Sequence, residues 1–202
     1  GAVLATKDYI VPAWVGYDIG CGMTAAKMPK TILIALKENA EKIYHEVRRS
    51  IPMGLGEIHK NERKITIETQ KEFQKILAKF EKGHYDRKVL DFLQSGKALR
   101  NLGTLGSGNH FLEMDFDDLG FPWIVVHSGS RGVGHRFATL YMKKSSGKES
   151  GFEATYPFLS NSLEGREYLN LLDFCLEFAK LNRLEIARQS ILAIEKVLGK
   201  KI

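Results

Sequence analysis

A carboxylate and a thiol lie three residues apart in a glycine-rich segment near the beginning of the chain. Residues 16–23 read Gly-Tyr-Asp-Ile-Gly-Cys-Gly-Met, and they place Asp18 and Cys21 in this segment. Its glycines permit backbone conformations that other residues rarely adopt, so the two side chains can point in the same direction. Because thiolates and carboxylates both bind metal ions, the pair predicts part of a metal site.

Two further glycine-rich segments carry polar side chains at predicted strand ends. Residues 102–113 read Leu-Gly-Thr-Leu-Gly-Ser-Gly-Asn-His-Phe-Leu-Glu, and residues 127–135 read His-Ser-Gly-Ser-Arg-Gly-Val-Gly-His. Strand ends from distant parts of a chain converge in mixed folds, so these segments are expected to share one site with the first. Their candidate functional residues are Asn109, His110, Glu113, His127 and Arg131.

Four side chains in the three segments are of the metal-ligand type: Asp18, Cys21, His110 and His127. Each alone has a simpler structural interpretation, as a buried thiol, a hydrogen-bonded core histidine or an aspartate that bonds its own turn. The same arrangement of glycine turn, strand end and ligand-type residue occurs three times. The repetition favours a metal site.

The third segment also has the composition of a phosphate-binding loop. Its backbone N–H groups and the hydroxyls of Ser128 and Ser130 are expected to surround a phosphate, with Arg131 as a forked cationic donor. The alternative is a tight loop without a ligand. The segment matches neither the P-loop nor the glycine pattern of dinucleotide-binding folds.

The rest of the sequence predicts an α+β fold in which helices flank a sheet. Gly83 is expected to end the second helix, and Asn161 with Glu164 to cap the last, whose core face is expected to include Leu169 and Leu176. Amphipathic patterns predict helices over residues 31–50, 66–81, 86–93 and 161–198, the last perhaps broken once, and an apolar run predicts a buried strand over residues 122–127.

Composition indicates one globular domain with a basic excess. The 202 residues are 44% hydrophobic and carry a formal net charge of +6, which suits a polyanionic partner such as nucleic acid. Two cysteines, Cys21 and a predicted core thiol at Cys175, do not form a disulfide framework. We therefore expect an intracellular, cytoplasmic protein, with no membrane-spanning segment. His59 and His84 are expected in solvated loops.

Three segments in this order resemble the RtcB family of RNA ligases, which use GTP and manganese. They are residues 15–23, 102–113 and 127–135, and residues 156–183 resemble the family's next segment. The resemblance implies an RtcB-like central β-sheet with flanking helices, in which the glycine turns at the strand ends form the metal site. Residues 1–202 would then be a single fragment of the catalytic core.

The resemblance also implies roles for individual residues. Cys21 would bridge two Mn²⁺ ions, with Asp18 and His110 on one ion and His127 on the other. Asn109 would contact a phosphate of bound GTP, Glu113 the guanine edge, and Arg131 the RNA end or its phosphate. A bridging thiolate also suits Zn²⁺, so ligand type alone does not select manganese.

The implied reaction, in tRNA splicing or RNA repair, joins an RNA 3′-phosphate or 2′,3′-cyclic phosphate to a 5′-hydroxyl. It proceeds through a guanylylated histidine and then a guanylylated RNA, in some members with an archease-type activator. The guanylylated histidine and a second histidine ligand would lie beyond Ile202, and the chain does not begin with Met. The expectation is a fragment lacking both ends, without ligase activity of its own.

Two other classes of function fit the same residues. A metal-dependent phosphoesterase or cyclic-phosphate hydrolase needs the metal ligands but no covalent histidine. A non-catalytic module that binds nucleotide or RNA needs neither.

Overall fold

The computed structural model describes residues 4–81, 85–151 and 153–202. The expectations for Gly83 and His84 fall outside these residues. Seven α-helices and five strands are found in them: β1 (Tyr9–Ile10), α1 (Pro12–Val15), β2 (Gly22–Lys27), α2 (Leu33–Glu38), α3 (Ala40–Ser50), α4 (Ile67–Phe80), α5 (Arg87–Gln94), β3 (Phe111–Phe116), β4 (Pro122–Ser128), α6 (Arg131–Ser146), β5 (Phe158–Leu159) and α7 (Leu163–Leu198). The α+β prediction is confirmed.

A three-stranded antiparallel sheet in the order β2–β4–β3 carries the glycine-rich segments at one end. Alternate residues of the central strand β4 are buried, and the buried set includes Ile124 and Val126. They pack in one core with Ile43 of α3 and Ile186 of α7. The other face of the sheet therefore points away from this core, and it carries His127. The predicted strand over residues 122–127 is confirmed.

The longest element, α7, is one unbroken helix of 36 residues. Its cap is Ser162, whose Oγ accepts the backbone N–H of Gly165 at 3.0 Å, so the prediction of an Asn161 cap is wrong. Leu169 and Leu176, predicted to lie on the core face, are exposed, so that part of the prediction is wrong. The buried face carries larger, mostly aromatic residues that pack with α4 and α6: Tyr168, Leu171, Phe174, Cys175 and Phe178.

The predicted helix over residues 31–50 is interrupted at Asn39. The backbone of Asn39 leaves the helical region at φ −112° and ψ 16°, and its side chain donates a hydrogen bond to the Ala35 carbonyl at 3.0 Å. An asparagine amide competes in this way with the helical backbone. Ile34 of α2 is 71% exposed, whereas Leu36 of the same helix is buried.

The remaining helix predictions hold within a residue or two at each end. Residues 66–81 contain α4, which begins after Thr66, whose Oγ1 caps the Thr69 N–H. The predicted helix over residues 86–93 corresponds to α5, which is capped by Asp86 and ends one residue later, at Gln94. His59, predicted to be solvated, is instead buried, with Nε2 at 3.3 Å from the Gly103 carbonyl. Among the described residues, every helix is too short or too polar to cross a bilayer.

Candidate metal centre

The order of the strands brings the three glycine-rich segments together at one end of the sheet. Cys21 immediately precedes β2, His110 immediately precedes β3, and His127 is the second-last residue of β4. In the antiparallel register, His127 is paired with Met23 on one side and Phe111 on the other. Residues that are far apart in the sequence therefore meet across three adjacent strands.

The Cys21 thiol lies between the other three ligand-type side chains. Its Sγ is 3.3 Å from His127 Nε2 and 3.6 Å from His110 Nε2. His110 Nε2 is in turn 2.9 Å from Asp18 Oδ2. Ligand atoms of Asp18, Cys21 and His110 all lie within 4.8 Å of one another. The structure thus brings the four predicted residues together, and their binding of metal stays a prediction.

The ring of His110 is oriented by its second nitrogen. Nδ1 donates a hydrogen bond to the Leu105 carbonyl at 2.9 Å, so in the neutral ring Nε2 carries the lone pair. That lone pair faces the Asp18 carboxylate, and two acceptors at this distance repel unless a proton or a cation lies beside both. Metal-binding histidines commonly donate their other N–H to a carbonyl in this way. The donor set fits a divalent cation.

His127 is held mainly by packing. Its ring stacks on Phe111, with centroids 5.4 Å apart and planes at 27°. Nε2 points to Cys21 and also lies 3.4 Å from the side-chain amide of Asn109. Nδ1 is buried and has no hydrogen-bond partner among the residues described here. Nε2 is therefore the nitrogen presented to the cluster.

The thiol of Cys21 is a poor acid in this environment without a cation. Partial loss of hydration raises the pKa of this thiol to about 11 although the residue is exposed, and the neighbouring Asp18 carboxylate contributes in the same direction. The Arg183 guanidinium has the opposite, smaller effect. A bound dication would supply the missing positive charge, and binding would release the thiol proton.

The remaining predicted site residues lie on two sides of the cluster. Asn109 is exposed beside His127. Glu113 lies two residues after Phe111 on the exposed face of the sheet, opposite Val125. The pKa of its carboxyl group is raised by partial loss of hydration and by the neighbouring Asp115 carboxylate. Their roles toward GTP stay predictions.

Arg131 lies on the other side, where it lines a cleft of about 570 Å³ together with Asp18. It begins α6 with a left-handed backbone, at φ 58°. Its Nε donates to Thr104 Oγ1 at 3.2 Å, and its guanidinium lies so close under Gly106 that a Cβ there would overlap it. Burial lowers the pKa of Arg131, while Asp18 opposes this. Basic side chains line the cleft: Lys97, Arg131, His135 and Arg136.

The expected phosphate-binding role of the two serine hydroxyls is wrong. Ser128 and Ser130 are fully buried. Ser128 Oγ donates to the Leu105 carbonyl at 2.9 Å and so supports the backbone that orients His110. The turn is also shorter than expected, because α6 begins already at Arg131.

Comparison with known proteins identifies the family. The sequence profile described as "RtcB: tRNA-splicing ligase RtcB" matches residues 1–202. The chain belongs to the RtcB family. It is 32% identical to "RNA-splicing ligase RtcB" of Escherichia coli K12 and 29% identical to "tRNA-splicing ligase RtcB" of Nanoarchaeum equitans, in both cases over all of this chain. These alignments cover 51% and 50% of the two relatives, so the chain spans about half the length of the curated relatives it matches.

One part of the RtcB site was not predicted from the sequence. Asn182 and Arg183, near the middle of α7, donate hydrogen bonds to all three glycine-rich segments. In the sequence they interrupt an apolar helical pattern, where polar residues usually face solvent. Both residues lie on the core face of α7 or at its margin. Their burial could therefore be predicted only from a correct placement of that face.

Proposed function

We propose that this chain supplies the metal-binding part of an RNA ligase that joins 3′-phosphate or 2′,3′-cyclic phosphate ends to 5′-hydroxyl ends. One observation carries the proposal: Cys21 Sγ lies between Asp18 and His110 on one side and His127 on the other. Membership of the RtcB family and relatives named RNA- or tRNA-splicing ligases support it. The activity proposed is that of the whole protein.

The four clustered side chains would hold two divalent cations. Asp18 and His110 would bind one, His127 the other, and the Cys21 thiolate both. Mn²⁺ is the proposed ion, and Zn²⁺ is the alternative that a thiolate and two imidazoles also suit. When bound, the ions would neutralise the charge of phosphate groups and polarise them for displacement. The further ligands would come from outside the four residues.

The two sides of the cluster would take the two substrates. The cleft beside Asp18 is lined by Arg131 and other cations, which suits the phosphate of an RNA end. On the sheet face, Phe111 offers a ring and Glu113 a carboxylate that can accept from the N–H groups of guanine. Asn109 lies beside His127, where its amide could donate to a phosphate of GTP.

The ligase and the hydrolase differ in their use of GTP. In the ligase, guanylylated intermediates would form first on a histidine that is not among the 202 residues and then on the RNA. An archease-type protein is the proposed activator. Incubation of a longer protein that contains this chain with labelled GTP separates the ligase from the hydrolase, because only the ligase retains covalent label. A hydrolase would release phosphate from a cyclic end without GTP.

Arg131 is expected to distinguish phosphorylated RNA ends. In the presence of Mn²⁺, the chain should bind an oligoribonucleotide with a 3′-phosphate more tightly than the same oligonucleotide with a 3′-hydroxyl. Loss of a charge-assisted hydrogen bond costs about 1.5–3 kcal/mol, so Arg131→Ala should weaken binding of the phosphorylated RNA roughly 10- to 100-fold. Fluorescence anisotropy measures both affinities.

The matched control is Arg87→Ala. The Arg87 side chain is 92% exposed, pairs with Asp91, and is not part of the cleft lining. Its replacement removes one positive charge from the surface and should affect both oligonucleotides equally. Equal losses from Arg131→Ala and Arg87→Ala would contradict the proposed contact.

Gly129 is expected to be required for the position of the Asp18 carboxylate. A Cβ on Gly129 would overlap Asp18 Oδ1, so the carboxylate of a Gly129→Ala variant must rotate away. We expect Mn²⁺ affinity, measured by isothermal titration calorimetry, to fall about 10- to 100-fold. Gly22→Ala is the control, because its Cβ would meet the Arg183 guanidinium carbon at an ordinary 3.5 Å. Similar affinities of the two variants would refute the steric argument.

A further inference from the structure

We infer that Asn182 and Arg183 are positioning residues that hold the three glycine-rich segments at the spacing required for metal binding. The inference rests on the proposed two-metal function. The two residues are adjacent on α7, the longest helix of the described chain. Neither lies among the ligand-type side chains, so they would act through the backbone that carries the ligands.

Asn182 joins the second and third segments. It is fully buried, and its Nδ2 lies 3.2 Å from the Thr104 carbonyl and 3.1 Å from the Gly129 carbonyl. Nδ2 is also 3.2 Å from Ser128 Oγ, so its two hydrogens are shared among three oxygens. Oδ1 accepts the backbone N–H of Thr104 at 3.2 Å. Both donor hydrogens of this amide and one acceptor position of its oxygen are used on the two segments.

Arg183 joins the first and third segments. Its Nη1 donates to the Gly20 carbonyl at 2.8 Å and to the Ser128 carbonyl at 3.0 Å. Its Nε donates to Thr24 Oγ1 on strand β2 at 3.2 Å. One guanidinium therefore ties the turn that carries Cys21 to the end of the strand that carries His127.

Each of these contacts falls close to a ligand in the chain. Gly20 precedes Cys21, and Ser128 follows His127. Thr104 precedes Leu105, whose carbonyl accepts the Nδ1–H of His110. A metal site tolerates ligand displacements of only about 0.2 Å, so fixing these backbone atoms against one rigid helix would fix the ligand spacing. Such supporting contacts typically change metal affinity by about 10- to 100-fold when they are removed.

The shape of the arginine side chain matters more to this role than its charge. Two carbonyls and a hydroxyl accept from one planar guanidinium, whereas a lysine ammonium is a compact charge at the end of a flexible stem. Lysine at position 183 would keep a positive charge near Cys21 and Asp18. It would not hold Gly20, Ser128 and Thr24 simultaneously. Arg183→Lys therefore separates positioning from electrostatics.

The test measures cobalt binding by the chain with Arg183→Lys and with Arg183→Met. Co²⁺ bound by Cys21 gives a thiolate-to-metal charge-transfer band that reports on the geometry of the cluster. We expect Arg183→Lys to bind Co²⁺ about 10- to 100-fold more weakly than the unaltered chain, with a weaker band. Thermal unfolding of the metal-free proteins is recorded in parallel, so that lost stability is distinguished from lost positioning.

Arg188→Lys is the matched control on the same helix. The Arg188 guanidinium donates to Thr69 of α4 and, within the part of the chain that the structure describes, makes no hydrogen bond to the glycine-rich segments. The Arg188→Lys substitution should leave the cobalt affinity and the charge-transfer band unchanged. If Arg183→Met does not fold, Arg183→Lys decides the question.

The outcomes separate this inference from the function on which it rests. Cobalt affinity that is unchanged in a folded Arg183→Lys variant would overturn the positioning role and leave the metal site intact. Failure of the unaltered chain to bind Co²⁺ or Mn²⁺ would overturn the two-metal proposal, and the positioning role with it. A loss that appears equally in Arg188→Lys would also overturn the inference, because it would be a general property of α7.

Discussion

Cys21→Ala is expected to abolish the proposed divalent-cation binding of the chain and to leave the fold in place. The Cys21 thiol contacts both histidines of the cluster, so its loss would affect both proposed ions. The expected fall in Mn²⁺ affinity exceeds the roughly 100-fold that loss of a supporting contact can cause. Because Cys21 is exposed, its removal should cost little stability. Calorimetric titration with Mn²⁺ and thermal unfolding measure the two effects.

Cys175 provides the opposite control. It is fully buried in α7, where burial alone raises the pKa of its thiol far above the usual range. Cys175→Ala should lower the stability through a small cavity and leave metal binding unchanged. The proposal of a bridging thiolate fails if Cys21→Ala still binds two equivalents of Mn²⁺ tightly.

Gly20→Ala is expected to destabilise the chain by about 2–4 kcal/mol, the sum of backbone strain and a steric overlap. Gly20 has a left-handed backbone at φ 76°, which disfavours a side chain. A Cβ at this position would also lie 2.8 Å from the Cβ of Ala179, because the turn packs directly on α7. Urea unfolding, followed by circular dichroism, measures the loss.

Two further variants separate the backbone strain from the steric overlap. Gly16 has a similar φ of 82°, but a Cβ there would meet no atom of the described residues within 4 Å. Gly16→Ala therefore shows backbone strain without overlap, roughly 1–3 kcal/mol, because φ 82° with ψ −171° is a conformation that essentially only glycine adopts. Adding Ala179→Gly to Gly20→Ala should recover part of the overlap. A loss from Gly20→Ala that Ala179→Gly does not reduce would contradict the close packing of the turn on α7.

The ligand cluster could be predicted from the sequence because it depends on residue types and on strand ends. Cys21, His110 and His127 lie at strand ends and Asp18 in the turn before β2, and neighbouring strands of one sheet bring their ends together. Hydrophobic periodicity also gave α4 and β4 nearly to the residue. These signals are local, and the tertiary structure preserves them.

The errors have a different physical origin. The break at Asn39 depends on one side-chain hydrogen bond that competes with the helix, and periodicity does not record it. The face that α7 buries is set by which other elements reach it, so Leu176 was placed inside and Asn182 was missed. Ser128 is a further example. The sequence predicts that its hydroxyl binds phosphate, but the hydroxyl donates to the Leu105 carbonyl and accepts from the Asn182 amide.

The contact between Arg183 and the first glycine turn bears on how the protein folds during its synthesis. It joins residues 163 positions apart in the chain. Contacts of such long sequence separation form late in folding, and they form only after α7 has been synthesised. On the proposed role of Arg183, a nascent chain would expose Cys21 long before it could hold an ion firmly. Docking of one late helix would then determine when the protein first competes for metal in the cell.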